Sequence, residues 1–204
     1  MIVIVDYGIG NLGSIYNMLN RLGINCVISA NNNEIARADK LILPGVGAFD
    51  NGMKNLVENG LITLLNELVL MKKVPILGIC LGMQLMTSQS DEGLLPGLGW
   101  VEAKTARFDF INDKELKIPH MGWNTIHIEK HNSLMIGLND ESRFYFVHSY
   151  FVSCNNHEDI MTTTNYGNNF HSSFQHENIY GVQFHPEKSH KYGMQLLRNF
   201  NELG

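Results

Sequence analysis

The sequence predicts an α/β fold in one domain, residues 1–204, with a central mostly parallel sheet, helices on both faces and an added antiparallel strand segment. Three observations carry this expectation. Short apolar runs, each long enough for one buried strand, alternate with helical apolar spacing through the first half of the chain. Loops rich in glycine and proline join each run to the helix that follows. After Gln89 the texture changes to short alternating runs, the pattern of antiparallel strands.

Composition sets the outer limits. A chain of 204 residues with 44% hydrophobic and 17% charged side chains is globular and can bury one substantial core. The formal net charge is -5 and no basic block stands out, which argues against nucleic acid or an anionic membrane as partner. No apolar run reaches the roughly 18 residues that cross a bilayer. Met1 to Asp6 reads straight into a strand, without a basic leader or cleavage site, so the expected location is the cytoplasm. Cys26, Cys80 and Cys154 form no disulfide framework. No His, Cys or carboxylate spacing defines a metal site, and no cofactor is called for.

Ile2 to Asp6 is a β-branched first strand. The glycines of Gly8-Ile9-Gly10-Asn11-Leu12-Gly13 follow it, then a helix with Ile15, Met18, Leu19 and Leu22 on one face. This is formally the G-x-G-x-x-G of a dinucleotide site, but the acid expected at the end of the next strand, Asn25 to Ser29, is missing. A glycine-rich turn is the favoured reading. Leu41-Ile42-Leu43 is the third strand, Pro44-Gly45-Val46-Gly47 its terminating loop, and Met53 to Met71 one helix. A Pro-Gly-x-Gly loop at a strand's carboxyl end is either ordinary loop chemistry or a backbone cradle for a ligand.

Val74 to Met86 is the stretch with most chemistry. An apolar strand runs into a helix at Cys80, with Gly78 and Gly82 two residues to either side. This is the G-x-nucleophile-x-G pattern of a strand-to-helix elbow, with cysteine for serine. The elbow sets the sulfur at a helix N-terminus, which suits a negative charge, and aims the Leu81 N–H at any oxyanion formed by attack. The bland alternative is a buried structural cysteine.

Asp91 to Gly99 is a loop, and Trp100 to Phe151 reads as hairpins with a strand at Thr125 to Glu129. Pro119-His120-Met121-Gly122-Trp123-Asn124 between them is either tucked under or an exposed sticky surface. Phe144 to Tyr150 and Ile179 to Phe184 are further strands, Asn165 to Asn169 an asparagine-rich turn, and Tyr192 to Leu203 the last helix. A thiol nucleophile needs a base, and the base needs an orienting group. His185 ends a core strand, and Glu187 two residues on points the same way in extended geometry. His120, His148 and His171 read as structural or solvent-facing.

Gly78 to Gln84 together with Phe184-His185-Pro186-Glu187 resembles the class I (triad) glutamine amidotransferases. Leu43 to Gly47, Pro119 to Asn124, Tyr145 to Tyr150 and His185 to Ser189 are similar to the glutaminase subunits that serve a separate (β/α)8 cyclase subunit in histidine synthesis. The likeness runs nearly end to end. It implies a flavodoxin-like sheet, and Cys80 as nucleophile with His185 as base and acid, oriented by Glu187. It further implies an oxyanion site at Leu81, Val46 and Gly47, and glutamine held by Gln84 and the backbone of His148, Ser149 and Tyr150. Asn11, Met121, Trp123 and Lys188 resemble positions that meet the cyclase. Phe170 to Gln175 and Ser189 to Gly193 instead resemble a paralogous group, which supplies ammonia for amidating a surface-polysaccharide sugar.

Overall fold

The computed structural model of the chain describes residues 1–110 and 116–203. Residues 111–115 of the expected hairpin stretch, and residue 204, lie outside the described residues. The chain runs β1 (Ile2–Val5), α1 (Leu12–Arg21), β2 (Cys26–Ser29), α2 (Asn32–Ile35), β3 (Lys40–Leu43), α3 (Phe49–Glu58), α4 (Leu61–Asn66), β4 (Ile76–Ile79) and α5 (Leu81–Leu85). It continues through β5 (Ala103–Arg107), β6 (His120–Thr125), β7 (His127–Ile128), β8 (Arg143–His148), β9 (Tyr150–Cys154), β10 (Ile160–Tyr166), β11 (Asn168–His176), β12 (Ile179–Val182) and α6 (His190–Glu202).

The central sheet has the order β2-β1-β3-β4-β12-β11-β10-β7. It is parallel from β2 to β12, the doubly wound order of a flavodoxin-like fold, and antiparallel beyond. Every residue of β1, β4 and β12 is buried, as a sheet covered on both faces requires. Alternation then sorts side chains into two cores. Val3, Val5, Leu41 and Leu43 pack with Met53, Leu56 and Leu65 of α3 and α4. Ile2, Ile4, Ile42 and Leu77 pack with Ile15 and Leu19 of α1 and with Leu197 and Phe200 of α6.

Four expectations need correction. The strand over Thr125–Glu129 is divided at Ile126 between the end of β6 and the two-residue β7. The helix over Met53–Met71 is interrupted: Gly60 adopts φ +65°, α4 restarts at Leu61, and a π turn over Glu67–Met71 closes it. The strand over Phe144–Tyr150 is two strands in two sheets. β8 pairs with β6 in a separate ribbon, β9 pairs with β5 and β11, and Ser149 is the break. Asn165 to Asn169 is mostly strand, with Asn165 opposite Asn169 and Tyr166 opposite Asn168, so the turn reduces to Gly167 at φ +71°. No helix among the described residues is long and apolar enough to cross a membrane.

Candidate active site

Cys80 sits where β4 ends and α5 begins, with φ +54° and ψ -109°. A non-glycine residue there costs on the order of 1–3 kcal/mol, so the surroundings must hold it. The flanking glycines explain how. A Cβ on Gly82 would lie 1.8 Å from the Leu43 carbonyl oxygen, and one on Gly78 2.8 Å from the Met83 backbone. Close approach, not φ, demands glycine at both positions. The Cys80 N–H donates to the Val182 carbonyl at 2.8 Å, which ties the elbow to the neighbouring strand.

Beside it, β12 runs on to His185, whose N–H donates to the Tyr145 carbonyl at 2.9 Å. His185 Nδ1 and Glu187 Oε1 are 2.8 Å apart, both side chains almost fully buried. The pair is closed by a 3-10 turn over Pro186–Lys188, not by the extended backbone expected from sequence. Ser189 Oγ donates to the His185 carbonyl at 2.6 Å and accepts the Tyr145 N–H, so the turn is pinned to β8. Among the described residues His185 Nε2 has no hydrogen-bond partner within normal geometry, yet Cys80 is near enough to act on its charge. Burial works against the imidazolium, but Cys80 and Glu187 together outweigh it and raise the pKa to about 10.

A cavity of about 470 Å³ opens over these groups. Val46, Gly47, Leu81 and Gln84 line it with Cys80 and His185, and so do His148, Ser149 and Tyr150. Glu187 stands behind His185, outside the cavity lining. The loop below is half fixed and half open. Tyr7, fully buried, donates its hydroxyl to the Pro44 carbonyl at 2.6 Å, and a Cβ on Gly45 would lie 2.7 Å from the Gly82 nitrogen. Val46 is exposed, and Gly47, at φ +101°, has open space beside it. The Gly8–Gly13 turn supports this loop: a Cβ on Gly10 would meet the Pro44 ring at 3.1 Å.

Gln183 was not anticipated. Its Nε2 donates to Cys80 Sγ at 3.6 Å and its Oε1 accepts from Gln84 Nε2 at 3.0 Å. A fully buried glutamine in the apolar run Ile179–Phe184 was the available signal, since a buried amide needs partners. His120 and His148 are buried and hydrogen-bonded to each other at 3.0 Å, a structural placement as expected. His171 accepts the Cys154 N–H at 3.0 Å.

The expected partner-facing residues also gather. Met121 and Trp123 are 62% and 46% exposed, and Trp123 stacks on His190 with ring centroids 5.3 Å apart. Lys188 Nζ lies 5.6 Å from the Tyr145 ring centre, and Trp123 meets the same ring edge-on at 6.1 Å. Asn11 precedes α1, which packs on the Pro186–Lys188 turn. Among the described residues, no three His, Cys, Asp or Glu side chains stand together as metal ligands.

Known proteins resemble this chain in sequence and in fold. Residues 3–203 match the family model of glutamine amidotransferase class-I. The chain is 54% identical over 200 residues to imidazole glycerol phosphate synthase subunit HisH 2 of Methanococcus maripaludis, covering 98% of each chain. It is 48% identical over 203 residues to the HisH 2 subunit of Pseudomonas aeruginosa, covering 100% of both. Among solved structures, PurLQS from Thermotoga maritima superposes with a TM-score of 0.72 at 15% identity, over 98% of this chain and 96% of that one. The glutaminase domain of Trypanosoma brucei CTPS gives 0.67 at 16% identity, over 100% and 94%. The last two establish the fold alone; with the family match and the HisH relatives, the chain belongs to the class-I glutamine amidotransferases and, within them, to the HisH family.

Proposed function

We propose that this chain, residues 1–204 as one amidotransferase domain, is the glutaminase subunit of an imidazole glycerol phosphate synthase. It hydrolyses glutamine to glutamate and ammonia, and passes the ammonia to a HisF-type (β/α)8 cyclase subunit in histidine biosynthesis. The observation that carries the reading is a thiol, an imidazole and a carboxylate converging beneath one cavity, in a chain 54% identical to a HisH subunit.

Glutamine enters with its carboxamide carbon over Cys80 Sγ. The sulfur attacks, the C=O electrons move onto oxygen, and the oxyanion meets the Leu81 N–H and a peptide N–H from Val46–Gly47. His185 gives a proton to the amide nitrogen, the C–N bond breaks, and ammonia leaves a glutamyl thioester. Water then attacks the thioester while His185 takes its proton, and glutamate and the Cys80 sulfur separate. Glu187 holds the imidazole through Nδ1 and stabilises its charged form. Gln84 has both Nε2 hydrogens committed, to Tyr150 and Gln183, so it offers substrate only its oxygen, an acceptor for an ammonium group. The same reading assigns the protein to the cytoplasm, where Cys80 stays reduced.

Glutamate release, measured with a HisF-type cyclase subunit and its nucleotide acceptor, tests the reading. Activity that survives Cys80→Ala refutes it. A second reading, ammonia supply to a sugar-amidating partner, draws on the names of the relatives, several of which are numbered HisH 1 or HisH 2. Complementation of a histidine auxotroph lacking its own HisH separates the two: growth supports histidine synthesis, and no growth with intact glutaminase activity supports the paralogue.

A further inference from the structure

The inner face of β6 carries a polar chain that the glutaminase chemistry leaves unused. The Thr125 N–H donates to Asn124 Oδ1 at 2.8 Å, and Asn124 Nδ2 donates to the Asn165 carbonyl at 2.9 Å. Two backbone groups therefore fix the Asn124 amide, and its Nδ2 faces His120 Nε2 at 3.3 Å. His120 Nε2 must accept, which puts the ring proton on Nδ1. Nδ1 then donates to His148 Nε2 at 3.0 Å. His148 carries its proton on Nδ1 in turn, and donates it to the Tyr150 carbonyl at 2.8 Å. The direction cannot reverse, because the chain starts at a backbone N–H and ends at a backbone C=O.

The Tyr150 carbonyl also accepts from Gln84 Nε2 at 3.1 Å. Gln84 continues to Gln183, and Gln183 to the Cys80 sulfur. The His120 ring is sandwiched between Phe146 at 4.8 Å and Tyr166 at 4.0 Å, both within 25° of parallel. Stacking holds its plane and leaves the hydrogen bonds to set its rotation. Along β6 the side chains alternate: His120 is buried and Asn124 partly buried, whereas Met121 and Trp123 are exposed. Relay and docking face are opposite sides of one strand. Burial favours neutral rings, drawing His120 to about 4 and His148 to about 3.

We propose that His120 and His148 are positioning residues, a one-way hydrogen-bond relay that holds the Tyr150 carbonyl and Gln84 in the glutamine pocket and ties that geometry to the exposed face of β6. The proposal rests on the glutaminase reading and adds the residues that keep its pocket in register with the docking surface. Either ring in another tautomer, or charged, would set donor against donor within a buried chain.

Two measurements test it on the full chain. In histidine-labelled protein, 15N and 13C NMR should find both rings neutral in the less common Nδ1–H form from pH 8 to pH 5. An Nε2–H tautomer at either ring overturns the relay. In kinetics with the cyclase subunit, His120→Phe keeps the stacked shape but cuts the chain. KM for glutamine should rise about five- to tenfold with kcat changed less than about twofold. His120→Gln, able to donate and accept, should recover most of the loss. A folded His120→Phe with unaltered KM overturns the positioning role, and if that variant does not fold the NMR result decides. Stimulation by the cyclase, read as kcat/KM for glutamine with and without it, should fall in both His120→Phe and Trp123→Ala, with the double variant no worse than the more impaired single one; full additivity overturns the tie to β6. Failure of the glutaminase reading is distinguishable, since it shows as activity that survives Cys80→Ala.

Discussion

Replacing Tyr7 by Phe tests how the oxyanion loop is held. The phenol is fully buried, its hydroxyl donates to the Pro44 carbonyl at 2.6 Å, and it lies 2.9 Å from where a Gly45 Cβ would stand. Tyr7→Phe removes one oxygen and keeps the ring packed, so the loss is the hydrogen bond plus the desolvated carbonyl left behind. A buried acceptor without its donor costs about 1–3 kcal/mol. For a chain of this size that lowers the thermal midpoint by about 2–12 °C, at roughly 2–4 °C per kcal/mol. Pro44 is the fixed foot of the segment whose Val46–Gly47 peptide supplies an oxyanion donor in the proposed mechanism. Removing such a donor outright costs about a hundred- to thousandfold in kcat, and loosening its foot should cost about tenfold, or about 1.4 kcal/mol. Thermal unfolding and glutamate release with the cyclase subunit read the two effects. A midpoint within about 1 °C of the parent together with unchanged kcat would refute the anchoring argument.

Cys80→Ser should abolish glutamine hydrolysis while Cys26→Ser and Cys154→Ser keep most of it; a glutamine-analogue electrophile that labels chiefly Cys26 or Cys154 contradicts the assignment. Glu187→Gln should lower kcat and leave KM nearly unchanged, because Glu187 touches His185 and not the cavity; a KM effect alone would assign it to substrate. The isolated chain should release glutamate slowly and gain at least about a hundredfold with the cyclase and its acceptor, as one peptide N–H turns into place. Equal rates with and without the partner would exclude such a switch. Stability should peak near neutral pH. His120 and His148 have folded pKa values of about 4 and 3, below the unfolded value, so the unfolded chain binds more protons and stability is lost as pH falls from about 6.5 toward 4. Each ring contributes about 1.4 kcal/mol per pH unit there. His185, raised to about 10, acts on the other side: its contribution is complete below about 6.5 and is lost as pH rises through its folded value. Chemical denaturation across pH 4–10 checks both limbs, and a flat acid limb would count against neutral buried rings.

The parallel half was legible because its inner strands are covered on both faces, and so are written as largely apolar runs: Ile2–Val5, Leu41–Leu43, Ile76–Ile79 and Ile179–Val182. The antiparallel half was not. β10 and β11 are the longest strands, yet Thr162, Ser172 and Ser173 are buried polar residues that satisfy one another through hydroxyl bonds of 2.6–2.8 Å. A pattern of apolar alternation cannot see a core held by hydroxyls. Asparagines at 165, 168 and 169 then suggested a long turn, where only Gly167 needs a left-handed backbone.

At the site, Cys80, His185 and Glu187 could be named from sequence, since each stands at or just past a strand end marked by glycine or proline. What sequence could not supply is how the chain breaks between strands to surround them. Phe144 to Tyr150 reads as one strand because its composition is uniformly β-forming. In three dimensions β8 ends at His148 and β9 begins at Tyr150 in another sheet, with Ser149 between. The backbone of His148, Ser149 and Tyr150 at the break lines the cavity, and the Tyr150 carbonyl accepts from both His148 and Gln84. The change of sheet at Ser149 brings that acceptor to the pocket, just as the strained φ of Cys80 presents the sulfur. At Cys80 and at Ser149, where local preference and observed backbone disagree, the disagreement shapes the site.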